Sequence, residues 1–438
     1  MKNKHPNSLY LLFATEMWER FSFYGMRALL VLYLVDKVET GGQGWSRADA
    51  SSLYGTYLST IYLSSILGGY LADKFLGYRK AVLWGGFIIV LGHISLALND
   101  MTFFYAGIGL LIAGTGLLKP NISSMVGQLY PDGSSLKDSA YTIFYMGINL
   151  GGFFGPIVCG ELARNYGWHY GFGIAAFGMI LGLIIFYFKQ DMLGDIGLSP
   201  KQIQQKIVIA PPKQKLTKIE IDRLIVIGIL SFFSIVFWMS FEQAGASINI
   251  FAKDYTDKHI FGTEISAASF QSVNSMWILI LSLPMSWLWV KLDQAKKNPS
   301  SPYKFAFGLL FLGLAFVLMA VATSDIQQGA MTASKSAWLL IAFYGIQTVG
   351  EMCISPVGLA TVNKLSPPAL FGSMYGVWFG ASAVGNYFAG FLSSRIDELQ
   401  TAHSMSYFFG IFVVATFVMS ALAFVFGKKL TAMMHGVK

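Results

Sequence analysis

Four ionisable side chains share one apolar run: Glu16, Glu19, Arg20 and Arg27 lie between about Ser8 and Val35. With Phe23 and Tyr24 they follow steps of three, one, three, one and three, which on a 3.6-residue helix puts all six on one face. A charge in mid-bilayer costs about 2.5–3.5 kcal/mol on insertion scales. Four on one face are explained by a polar cavity inside a membrane protein. A structural Glu16–Arg20 pair at i,i+4 is the alternative, and it accounts for two of the four. Lys119, Glu242 and Glu351 add further charges inside apolar segments. Three basic and four acidic groups suggest a cavity with a basic and an acidic pole, suited to a zwitterion, a proton relay or both. A buried structural pair remains the alternative for each taken alone. Asn149 and Asn274 offer neutral donors and acceptors, although intramembrane Asn also serves as glue between helices. Tyr62, Trp238 and Trp378 would suit an apolar side-chain pocket, but aromatic residues in such a chain more often pack.

The elements that must hold these residues are membrane helices. Of 438 residues, 54% are hydrophobic and 12% charged, half the charged share of soluble domains. Candidate spans lie near 8–36, 50–72, 80–98, 102–128, 138–160, 170–189, 223–252, 268–291, 304–324, 336–363, 369–394 and 405–427. Lys and Arg in the loops divide about three to one in favour of the side that carries both termini, which the positive-inside rule makes the cytoplasm. The net charge of +8 is therefore mostly an orientation signal and not a nucleic-acid footprint. The first run has no small-residue cleavage site and reads as a retained helix.

The longest polar stretch, with Pro211-Pro212 and many Lys, separates two sets of six spans. The expected organisation is a six-helix bundle over 1–190, a cytoplasmic linker over 191–222 and a second six-helix bundle over 223–438. Two such halves fit a transporter with its site near the bilayer midplane. Cys159 and Cys353 both sit in apolar segments, which disfavours a disulfide framework or a Cys-based metal site. The six His form no His-Glu-x-x-His pair, and no phosphate-binding Gly-rich loop precedes Lys-Ser/Thr. Glu16 and Glu19 as a hydrolytic acid/base couple would need a water-accessible domain, so no enzyme is expected and no cofactor.

Two sets of motifs carry a family resemblance. Gly69-Tyr-Leu-Ala-Asp-Lys-Phe-Leu-Gly-Tyr-Arg-Lys80 resembles the loop signature of the major facilitator superfamily. Glu16-Met-Trp-Glu-Arg-Phe-Ser-Phe-Tyr-Gly25 is similar to the Glu-x-x-Glu-Arg-Phe-x-Tyr-Tyr-Gly signature of its proton-dependent oligopeptide transporter (POT/PTR) branch. Phe144-Tyr-x-x-Ile-Asn-x-Gly151 matches that family's fifth-helix signature. Lys119-Pro-Asn, Phe241-Glu-Gln, Glu351 with Ser355-Pro, and Trp378 match as well, so the resemblance spans nearly every membrane segment.

It implies an all-α membrane protein of the major facilitator fold, with twelve transmembrane helices in two six-helix bundles. The implied function is a proton-coupled symporter importing di- and tripeptides across the inner membrane, with the proton as coupling ion, and nothing in the sequence requires more than a monomer in the lipid bilayer. Arg20 and Lys119, with Tyr24 and Arg27 nearby, would receive the peptide carboxylate. Glu351, Asn149 and Asn274 would receive its amino terminus, and Tyr62, Trp238, Ser355 and Trp378 would line side-chain pockets. Glu16, Glu19 and Glu242 would carry or relay the proton, with Arg20 also in the proton-coupling set and Arg27 and Glu242 exchanging partners as the proton binds. Phe23 replaces a family Tyr and removes one hydroxyl from the binding face. Many bacterial members carry two extra helices between the halves, and this linker is too short and polar for them. Relatives elsewhere carry nitrate, which needs only a basic pole; a receptor or scaffold on the same fold would bind ligand without flux.

Overall fold

A computed structural model describes residues 4–98, 100–131, 134, 136–199, 216–367 and 370–437. Residues 200–215 of the expected linker, including Pro211 and Pro212, lie outside the described residues. The long helices are α1 (Asn7–Val35), α2 (Arg47–Leu71), α3 (Tyr78–Ala97), α4 (Met101–Gln128), α5 (Leu136–Tyr166) and α6 (Trp168–Lys189). They continue as α7 (Lys218–Phe241), the short α8 (Ser247–Asp254), α9 (Ser272–Gln294), α10 (Ser301–Ala322), α11 (Ala337–Leu365) and α12 (Phe371–Ser393). The short α13 (Ile396–Ala402) and α14 (Met405–Met433) complete the order. Among the described residues, nine helical stretches are long and apolar enough to cross a membrane. Helix α1 is not one of them, because Glu16, Glu19, Arg20 and Arg27 interrupt its apolar run. Length and apolarity thus support nine of the twelve spans expected from the sequence.

Polar side chains set where several helices begin. Asp100 accepts hydrogen bonds from the backbone amides of Thr102 at 2.8 Å and Phe103 at 3.3 Å, closing the N-terminus of α4. Ser336 caps α11, Ser404 caps α14, and Thr217 with Glu220 forms a capping box on α7. The Phe103 amide, then that of Thr102, holds the Asp100 carboxyl below the usual carboxylate range. A lowered folded-state value contributes stability that is present above about pH 3.9 and is lost as pH falls through the folded value. Asp100→Ala should therefore lower the unfolding temperature in detergent at pH 7, with the difference from the parent shrinking below about pH 4. Equal unfolding temperatures at pH 7 would remove the cap from the list of stabilising contacts.

The chain forms two compact units whose membership crosses the sequence halves. The first comprises Met1–Trp45, Thr60–Ile207 and Glu264–Ser275. In it α1 packs on α5 at very short range, because a Cβ at Gly151 would strike the Met17 carbonyl and one at Gly155 the Phe21 carbonyl. The segment 264–275 is tied to α5 in the same unit. Glu161 accepts from the Ser266 backbone amide at 2.6 Å and the Ser269 hydroxyl at 3.3 Å, and Arg164 faces Glu264 at 3.5 Å.

The second unit comprises Ser46–Ser59, Val208–Thr263 and Met276–Lys438. Its N-terminal piece of α2 lies against α12, where Gly55 meets the Gly390 backbone and the Ser393 hydroxyl donates to Ser51 at 3.1 Å. Arg47 reaches Asp254 at 2.7 Å, Asp397 at 2.8 Å and the Tyr255 hydroxyl at 3.3 Å. Two-residue parallel strands β1 (Thr256–Asp257) and β4 (Lys335–Ser336) join the ends of α8 and α11, while β2 (His259–Ile260) and β3 (Thr263–Glu264) form a small hairpin.

Candidate functional site

The face of α1 read from the sequence folds into a buried charge cluster. Arg20 Nε lies 2.7 Å from Glu16 Oε1 and 2.6 Å from Glu19 Oε2, and none of the three residues is more than 2% exposed. The i,i+4 pair exists, but Arg20 faces both carboxylates at once. Such a buried cluster is poor evidence for stability, since desolvating three charges offsets their attraction. Glu16 Oε2, Glu19 Oε1 and Arg20 Nη2 are buried without hydrogen bonds among the described residues. Orphaned atoms of this kind call for water, a proton or a ligand group.

Aromatic rings support the guanidinium groups. Arg20 sits 5.2 Å from the Phe23 ring centre and Arg27 5.7 Å from that of Tyr24. The substitution of Phe for the family Tyr therefore leaves a cation–π platform beneath Arg20 while removing a hydroxyl. From α4, the Lys119 ammonium lies 4.3 Å from the Tyr62 ring centre. Lys119 and Tyr62 belong to the same compact unit as Arg20 and the two glutamates. Asn149 is buried in the same unit, where its Nδ2 donates to the Tyr145 carbonyl of its own helix at 2.9 Å and so does not bridge two helices through that bond. Asn274 stands in the first turn of α9, also in this unit and half-buried.

The remaining candidates belong to the second unit. Glu242 is 4% exposed and follows the last residue of α7; it accepts from the Tyr54 hydroxyl at 3.1 Å. Trp238 packs over Gly385, with its Nε1 buried and without a hydrogen bond among the described residues. Glu351 is buried on α11, and the half-buried Ser355 follows one helical turn later on the same face. Trp378 lies over Gly358 and meets Phe305 edge-on at 6.1 Å, so it is buried as a packing residue as well as a candidate wall. The buried thiols Cys159 and Cys353 belong to different units.

Several features were not legible in the sequence. Tyr54 as the partner of Glu242 is 188 residues distant in the chain and carries no local signal. The span expected over 223–252 is not a continuous helix, since a 3₁₀ turn over Glu242–Gly245 separates α7 from α8. Gly245 was the available hint: a Cβ there would collide with the Tyr54 hydroxyl. The Arg47 network also went unread, although its charge at a helix start is visible.

The sequence profile of PTR2, the POT family, matches residues 79–211 and 190–411. The chain is 36% identical to a peptide transporter, YePEPT, of Yersinia enterocolitica, over 90% of this chain and 89% of the relative. It is 30% identical to a di-/tripeptide transporter of Lactococcus lactis, over 99% and 97% of the two chains. Among solved structures, it is similar to a mutant peptide transporter POT in complex with alafosfalin, with TM-score 0.88, 34% identity and coverage of 99% and 96%. A POT family transporter in complex with 5-aminolevulinic acid matches with TM-score 0.88 at 31% identity, covering 98% and 97%.

Proposed function

This chain belongs to the POT family of membrane transporters, and from that premise we propose that it imports di- and tripeptides together with protons. The observation that carries the proposal is the buried cluster of Glu16, Glu19 and Arg20, in the same unit as Lys119. Arg20 and Lys119, with Tyr24 and Arg27, form the pole that takes the peptide carboxylate. Glu351, Asn149 and Asn274 take the amino terminus, and Tyr62, Trp238, Ser355 and Trp378 line the side-chain pockets. Glu16, Glu19 and Glu242 carry the proton, with no other cofactor. 5-Aminolevulinic acid, the ligand of one similar transporter, carries an amino group and a carboxyl at opposite ends, which supports a two-pole site.

Coupling follows from charge competition. A carboxylate loses its cation when substrate draws the Arg away, and a proton then replaces that cation. Loading with both proton and peptide biases one conformational equilibrium, the requirement for alternating access. The loop charges support an orientation with both termini in the cytoplasm, and the reading takes the protein to act in the inner membrane, where a monomer in the lipid bilayer suffices.

Labelled dialanine in proteoliposomes should accumulate under an inward proton gradient and stop doing so with a protonophore. Glu351→Ala should abolish that uptake in folded protein. Exchange of preloaded peptide without gradient-driven accumulation would retain the peptide site and remove the proton from the proposal. Absence of both fluxes, or competition by nitrate, would point to another cargo.

A further inference from the structure

The turn that carries Glu242 is held by neutral amides on either side of it. Between Phe241 and Ser247 the α-helix lapses, and Ala246 at φ −115°, ψ −99° is in no regular conformation. A helix that ends inside a bundle strands backbone carbonyls, which must find partners where water is scarce. The Phe241 carbonyl accepts from Gln347 Nε2 at 3.1 Å, and the Ala244 carbonyl from the Tyr344 hydroxyl at 3.4 Å. Gln243 donates to the carbonyls of Met239 at 3.2 Å and Ala389 at 3.0 Å, and its Oε1 accepts from Ser247 at 2.5 Å. Gln347 and Gln243 are both 0% exposed.

Gln347 thus fixes the peptide unit just before Glu242. It also stands four residues before Glu351, on the same face of α11. One side chain therefore connects the helix bearing one candidate group to the backbone bearing the other. Its Oε1 is buried without a hydrogen bond among the described residues, so its hold rests on the single Nε2 bond.

We propose that Gln347 is a positioning residue that links peptide binding at Glu351 to the proton carried by Glu242. This rests on the transport function proposed above. Displacement of α11 when Glu351 takes the peptide amino group is passed through Gln347 to the Phe241 carbonyl. The turn then shifts, and with it the Glu242 carboxyl relative to the Tyr54 hydroxyl.

Gln347→Met keeps the side-chain length and removes the donor. In proteoliposomes it should leave peptide exchange within about twofold of the parent and cut gradient-driven accumulation about tenfold, the scale of one buried hydrogen bond. The external-pH profile of uptake should shift as well, which loss of packing alone would not produce. Tyr344→Phe, which keeps the ring and removes the second contact to the turn, should move the same readouts in the same direction. It decides the matter if the Gln347 variant does not fold. Parental accumulation and pH profile in both variants would overturn the proposal, as would an equal fall in exchange and accumulation. Glu242→Gln is the reference. If it accumulates peptide like the parent, the proton role of Glu242 fails and this inference falls with it. If it is uncoupled while the Gln347 and Tyr344 variants are not, the inference alone fails.

Discussion

Arg20→Ala should abolish gradient-driven peptide uptake and lower the unfolding temperature of the protein in detergent. Arg20 is the cation in direct contact with both Glu16 and Glu19, and all three side chains are buried. Removing one partner of a buried pair costs about 3–5 kcal/mol when the remaining charge has no other compensation. The functional loss should be larger than the loss of stability. On the proposed roles, the peptide carboxylate then lacks its guanidinium partner, and proton binding at the glutamates no longer competes with substrate. A fall of at least about a hundredfold in uptake corresponds to roughly 2.7 kcal/mol. Arg20→Lys restores charge but not the planar fork or the stacking on Phe23, so it should recover stability before it recovers transport. Uptake by Arg20→Ala within a few-fold of the parent would mean that the cluster is structural.

Glu242→Gln should separate the two halves of the transport reaction. The amide is nearly isosteric, and its oxygen can still accept from the Tyr54 hydroxyl, so the turn over Glu242–Gly245 should persist. What disappears is the capacity to bind and release a proton. Exchange of external labelled peptide against preloaded peptide needs only the loaded carrier and should stay within about twofold of the parent. Accumulation under a proton gradient needs the proton to move with the peptide and should fall about a hundredfold. Measuring both fluxes on one preparation removes expression and folding as explanations. Loss of exchange together with accumulation would place Glu242 in peptide binding, and retention of both would remove it from the proton path.

Much of the α1 cluster was legible because helical periodicity is a local property. The steps between Glu16, Glu19, Arg20, Phe23, Tyr24 and Arg27 predict a shared face, and the buried contacts of Arg20 with both glutamates follow from that face. Lys119 and Tyr62 were each singled out, yet their contact across two helices has no signature in spacing. Tyr54 and Gln347 were missed for the same reason: each acts on the turn around Glu242 from a distant part of the chain. The break after Phe241 was hidden because the residues on either side are apolar enough for the stretch to read as one span. Hydropathy reports burial, whereas the break depends on carbonyl partners supplied by Gln347, Tyr344 and Gln243.

The exchange of segments between the two compact units also sets an order of assembly. Synthesis runs from the N-terminus, so Ser51 and Gly55 leave the ribosome long before the α12 residues on which they pack. The Ser51–Ser393 bond alone spans 342 residues. Until α12 is inserted, the first part of α2 has no final neighbour, and its Arg47 waits for Asp254 and Asp397. In the other direction, the carboxylate of Glu161 waits for Ser266 and Ser269 from beyond the linker. The first half of the chain therefore cannot reach its final packing during its own translation, and these contacts close only after α12 and Asp397 have been made.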